Sequence, residues 1–194
     1  MDSKLTPEWD YLVGDATAAY GDRLQRYRRH VAFVKGGMAG PVIVLFDDLV
    51  ANEPSRFQFM LHALKPFETD DPRDELSVEQ PRAGVEVKFL SPSPISFRQW
   101  DGYEPKPDRD FPNQWHVEAS TNEKRKEIGL LTVLMPYHSG QRPDWRAERL
   151  ESETAMGVRV TRGDKASLIA FRKAHASRPV SLAGQSIEGN IAVR

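Results

Sequence analysis

The 194 residues carry 27 Lys plus Arg against 28 Asp plus Glu, a formal net charge of -1, and no cysteine. That length can bury a full-sized core as one all-β domain, and the balanced charge argues against a dedicated nucleic-acid binder, which shows a basic surplus. Disulfides and thiolate metal sites are excluded, no apolar run is long enough to cross a bilayer, and MDSKLTPEWD lacks the basic-then-apolar order of a secretory signal.

Trp9 to Val13 reads as a short strand closed by Gly14-Asp15, and Ala16 to Ala19 as a brief helical turn. A long extended segment, Arg23 to Lys35, ends at Gly36-Gly37, and the glycine-rich stretch to Gly40 is read as a hairpin connection. Pro41 to Leu49 is apolar on both faces and is expected to stop at Asp47-Asp48, as a strand buried between two layers. Asn52 to Ser55 reads as a turn. From Arg56 to His62 the pattern alternates, with Phe57, Phe59 and Leu61 on one side, and this segment is expected beside the central strand.

Pro66 to Arg82 reads as a polar loop with one short strand near Leu76 to Val78. Strands are expected around Val85–Phe89, Ile95–Trp100 and Trp115–Ala119, with a proline-rich loop from Asp101 to Asn113. IGLLTVLM, residues 128–135, is a second strand buried on both faces, closed by Pro136-Tyr137. A loop from His138 to Trp145 precedes strands near Ala147–Ser152, Met156–Thr161, Ala166–Arg172 and Val180–Val193, the last broken at Gly184–Ser186. About a dozen short strands with turns every 8–12 residues or so give a multi-stranded antiparallel β-sandwich with little helix.

Five histidines are the ready imidazoles: His30, His62, His116, His138 and His175. None stands at a close metal-ligand spacing. His30, His62 and His116 fall in strands, where a hydrogen-bonded structural role is the commoner one, and His138, beside Tyr137 at a strand end, reads as the most exposed, with ligand contact the less common alternative for it. Asp47-Asp48 suggests acid–base or metal chemistry, but neighbours on a strand point to opposite faces, so turn capping is the favoured role. Arg26, Arg28 and Arg29 suit carboxylates or sulfates, which guanidinium groups bind with paired hydrogen bonds; the plainer alternative is a solvated strand face. Trp100, Tyr103, Phe111 and Trp115 surround the second long loop and suit either a sugar platform or the edge of the core.

With YLVGDATAAY, RRHVAFVK, VIVLFDDLVANEPSRFQFMLHA and LLTVLMPY in view, and GVRVTRG and VSLAGQSIEGNIAVR as weaker echoes, the chain resembles the heparinase II/III-like family of polysaccharide lyases. The resemblance is to the C-terminal β-sheet portion of that family and follows its order across nearly all of the chain. It implies a multilayered, supersandwich-like fold that sits behind an upstream catalytic α/α toroid. In that family a toroid tyrosine and early β-region histidines perform β-elimination on a uronic-acid polysaccharide, and a His/Asp/His set in the same early region binds zinc. Those segments precede the YLVGDATAAY counterpart, so no catalytic or zinc residue is carried onto a position here, and no cofactor is expected in this chain. Relatives commonly act in the periplasm or outside the cell.

Two functions are expected from these features. The first is a non-catalytic β-sandwich domain of such a lyase. The second is a carbohydrate-binding module for acidic polysaccharide, using Arg26, Arg28, Arg29, Trp100, Tyr103, Trp115 and His138. Partners are then the toroid and the polysaccharide, with no nucleic acid and no membrane. Sheet surface that the larger protein would cover is expected to support a homodimer.

Overall fold

The computed structural model describes residues 2–36, 40–176 and 179–194. Its centre is an antiparallel sheet of eight strands in the order β1-β2-β3-β4-β11-β8-β7-β6. These are β1 (Asp2–Leu5), β2 (Trp9–Asp15), β3 (Leu24–Val34), β4 (Val42–Ser55), β6 (Glu68–Asp70), β7 (Glu75–Glu79), β8 (Ala83–Leu90) and β11 (Arg125–His138). A second sheet holds β5 (Gln58–Ala63), β10 (Trp115–Thr121) and β9 (Ile95–Asp101), in that spatial order. A third holds β12 (Arg146–Glu151), β13 (Ala155–Arg162), β14 (Lys165–Arg172) and β17 (Ile191–Val193). A hairpin of β15 (Ser181–Leu182) and β16 (Gln185–Ser186) completes an all-β, multilayered sandwich, the architecture expected from the alternation.

Both faces of β4 and β11 are apolar because the central sheet is covered on both sides. Val42, Val44 and Phe46 meet Met156, Val158 and Phe171 of the four-stranded sheet. On the other face Leu45 and Leu134 join Phe59, Phe89 and Val117 beneath the three-stranded sheet. Val180, Leu182 and Ile187 then cover Ala155 and Ala170 on the outer side of the four-stranded sheet. The three-stranded sheet packs on the β11, β8 and β7 side, and Leu5, Leu12 and Phe33 of β1–β3 remain exposed.

Several boundaries differ from the sequence expectation. β4 does not stop at Asp47-Asp48 but runs to Ser55, because arginines of β3 neutralise both carboxylates within the strand. Asn52–Ser55 is therefore its end, and Pro54 is tolerated there since β3 pairs only as far as Ala51. Pro136-Tyr137 does not close β11 either: β4 pairs only to Leu134, so the missing proline N–H falls where that side of the strand has no partner. The segment after Arg56 leaves the central sheet altogether, and β5 becomes an edge of the three-stranded one, beside β10. The acidic loop Pro66 to Arg82 contains β6 and β7, with Leu76 and Val78 buried. The break in the last segment falls at Ala183-Gly184, both at positive φ, between β15 and β16. The glycine-rich connection from β3 to β4 lies at residues 37–39, outside the described residues, although the two strands pair antiparallel as a hairpin requires.

His30 sits inside this core, its Nδ1 2.8 Å from the Tyr11 hydroxyl and its ring against Phe46 and Phe171. Burial pushes its pKa down to about 4; Asp48 opposes the shift and Arg28 adds to it. The unfolded chain therefore binds a proton near pH 6.5 that the folded chain refuses until about pH 4. His30 accordingly costs nothing above pH 6.5, and stability falls by up to about 3 kcal/mol as pH drops between those two values. We expect His30→Phe to flatten that part of the pH–stability curve in urea titrations; an unchanged slope would show that other groups set it.

Candidate functional site

The site is built on the pairing of β3 with β4. Alternation along β3 sends Tyr27 and Arg29 toward the three-stranded sheet and Arg26, Arg28 and His30 toward the four-stranded one. Opposite them on β4, Asp47 faces Arg29 and Asp48 faces Arg28. Arg29 closes a two-pronged ion pair, Nε and Nη2 donating to the two Asp47 oxygens at 2.6 and 2.8 Å. On the reverse face Arg26 donates to Asp48 Oδ1 from Nε at 2.9 Å and reaches Glu127 at 3.4 Å, while the Ala174 N–H donates to Asp48 Oδ2. Arg28 pairs with Asp15 at 3.4 Å.

Asp47 and Asp48 thus occupy opposite faces, as strand alternation requires, but they cap no turn; each is the anionic half of an ion pair within the sheet. Asp47, Asp48 and His138 do not converge on one cleft, since the carboxylates lie on opposite faces and His138 ends β11 beside Ala83, exposed and remote in register from both. Burial lifts the Asp47 carboxyl above its ordinary range while Arg29 draws it back down, and the guanidinium stays charged.

A cleft of about 420 Å³ opens above this pair. Its polar lining includes Tyr20, Arg23, Tyr27, Arg29 and Arg56 beside Asp47. Tyr20 comes from the 3-10 turn Thr17–Arg23, which is fastened to β3 because the Tyr27 N–H donates to Thr17 Oγ1 and the Ala16 N–H to the Tyr27 carbonyl. The two tyrosine rings meet edge to face at 5.4 Å. Arg29 lies 4.9 Å from the Phe59 ring centre and 5.7 Å from that of Tyr27, so aromatic faces steady the guanidinium as well as Asp47 does. Burial and the Asp47 charge push the Tyr27 phenol up to about 12, leaving it a neutral donor. Three guanidinium groups against one carboxylate, beside exposed tyrosine, suit a ring bearing a carboxylate or sulfate.

Of the sugar-binding residues expected from sequence (Arg26, Arg28, Arg29, Trp100, Tyr103, Trp115 and His138), Arg29 alone lines this cleft, together with Tyr27 and Asp47. Arg26 and Arg28 point to the opposite face. Trp100 lies on β9 directly across from His116, its ring stacked on the imidazole at 5.5 Å and 9°, and Tyr103 meets the same imidazole edge-on at 5.6 Å. Trp115 is one residue from His116, so strand parity puts it on the other face of the sheet. Phe111 of the loop is exposed. Tyr20 and Arg56 are not singled out by the sequence because one stands in the 3-10 segment and the other in the irregular stretch between β4 and β5, where no periodicity marks a facing direction, while Arg23 reads only as the start of the arginine-rich segment. Among the described residues no three or more His, Asp or Glu side chains converge to hold a metal ion, so a His/Asp/His zinc set does not fit the residues present.

The architecture is an all-β, multilayered sandwich, and several solved structures share it. A heparinase III superposes with a TM-score of 0.68 at 14% identity, over 89% of this chain and 27% of that one. A second heparinase III gives 0.67 at 15%, over 88% and 27%. The heparan sulfate lyase HepC of Pedobacter heparinus gives 0.68 at 11%, over 91% and 28%. The chain therefore has the fold of about a quarter of these proteins' length, in keeping with the resemblance read from its sequence. No family model and no curated protein matches the sequence.

Removing Arg29 leaves the Asp47 carboxylate buried without its partner. We expect Arg29→Met to cost about 3 kcal/mol, the low end for a broken buried pair because the arginine is itself part-exposed. Arg29→Met combined with Asp47→Leu should recover most of that loss in chemical denaturation. A double variant as unstable as the single one would contradict this account of the pair.

Proposed function

We propose that this chain is the non-catalytic β-sandwich portion of a heparinase II/III-like polysaccharide lyase. The carrying observation is the superposition of about nine-tenths of the chain on about a quarter of heparinase III and of a heparan sulfate lyase. On this reading the elimination chemistry belongs to an upstream helical toroid and early β-region, and this portion supports them. The chain's own carboxylates fit that division of labour: Asp47 and Asp48 are held in ion pairs and are poorly placed to take a proton from a sugar carbon. Purified chain mixed with heparan sulfate or another uronic-acid polymer should yield no ultraviolet absorbance from an unsaturated product. Product formation would refute the non-catalytic assignment.

The cleft favours a companion reading, in which the chain itself binds acidic polysaccharide. Arg23, Arg29 and Arg56 would engage carboxylate or sulfate, with Tyr20 and Tyr27 against the sugar ring. Tyr20 and Arg56 belong to no buried ion pair, so they can be changed without undoing the sheet. Tyr20→Ala and Arg56→Ala should each weaken binding roughly tenfold with little change in melting temperature. Binding that survives both but disappears in Trp100→Ala would move the contact to the outer face of the three-stranded sheet.

A further inference from the structure

The outer face of the three-stranded sheet carries a row that neither the fold nor the cleft uses. His62 of β5, His116 of β10 and Trp100 of β9 are direct cross-strand partners, so all three side chains rise from the same face. The imidazoles of His62 and His116 have ring centres 4.4 Å apart and planes at 80°. His116 is only 8% exposed, and its Nε2 has no hydrogen-bond partner. His62 beside it is exposed.

We propose that His62 and His116 form a two-imidazole site for a late first-row divalent cation, Cu(II) or Ni(II) ahead of Zn(II), with solvent completing its coordination. A metal–nitrogen bond of about 2 Å, plus roughly 1 Å from nitrogen to ring centre, puts two imidazoles bound side by side about 4–5 Å apart at their centres. The observed separation already meets that condition, so binding needs rotation of rings and no movement of strands. A buried nitrogen without a partner is the feature a cation would satisfy on the His116 side, and exposure of His62 leaves positions open to water. The ranking of ions follows the affinity order of nitrogen ligands along the first row.

The next row along the same face sets the limits of the site. Glu118 accepts a hydrogen bond from Ser120 at 2.6 Å, and Arg98, its cross-strand partner, lies 5.3 Å from the Trp100 ring centre. The carboxylate offsets the guanidinium and leaves the imidazoles as the principal donors. This site lies on the other side of the three-stranded sheet from the Phe59 core, apart from the Arg29 cleft, and is independent of any polysaccharide role.

Trp100 is a built-in reporter, since a paramagnetic ion on His116 lies within quenching range of the stacked indole. The experiment titrates the full chain with Cu(II) and with Ni(II) while following tryptophan emission and Cu(II) electron paramagnetic resonance. Expected are saturable 1:1 quenching, loss of most of it in Trp100→Phe, and at least tenfold weaker binding in His62→Gln, whose exposed position spares the fold. The resonance spectrum should lose one of two coupled imidazole nitrogens in His62→Gln. Quenching that is unsaturable, or that His62→Gln leaves unchanged, would assign the ion to adventitious surface binding and overturn the proposal.

Discussion

Two adjacent carboxylates in the interior of β4 are the constraint around which this molecule is arranged. Asp47 and Asp48 point to opposite faces of a sheet covered on both sides, and both are buried. A buried charge without a partner is among the most destabilising features a fold can contain. β3 resolves both: Arg29 serves one face and Arg26 the other. A slip of one residue between the strands would send every arginine to the wrong face, so the ion pairs fix the register as firmly as the apolar pattern does.

The same pairs shape the cleft. Arg29 takes Asp47 with Nε and Nη2, and Phe59 and Tyr27 flank it, so the guanidinium is held in place before any ligand arrives. Preorganisation of this kind lowers the entropic cost of recognising an anion. The cleft exists because the three-stranded sheet lies over β11, β8 and β7 and leaves the β3 end open, where the Thr17–Arg23 turn supplies Tyr20. On the proposed polysaccharide-binding reading, stability and recognition would meet in one arginine, which makes the surrounding Tyr20 and Arg56 the cleaner probes of binding.

Much of the fold was legible in the sequence because strand periodicity is local. Phe57, Phe59 and Leu61 announce their shared side, and the two doubly apolar strands do become the covered centre of the large sheet. Pairing across long separations was not legible: β4 joins β11, and nothing within Val42–Ser55 names that partner. Charges in the β4 interior read as a strand end because their neutralising arginines lie on another strand. The candidate site was divided by parity alone. Arg28 and Arg29, like Trp115 and His116, are adjacent in sequence and face opposite ways, so a cluster in the chain is not a cluster in space. Tyr20 enters the cleft from the 3-10 segment and Arg56 from the stretch joining β4 to β5, where direction depends on backbone geometry that no residue pattern encodes.

Nuclear magnetic resonance mapping of a uronate-containing acidic oligosaccharide on the labelled chain is the most direct test of the proposed binding cleft. The account predicts amide shifts concentrated at Tyr20–Arg29 and Arg56–Met60, around the Arg29–Asp47 pair. Shifts confined to Trp100, Tyr103 and Trp115, or none at saturating oligosaccharide, would contradict it.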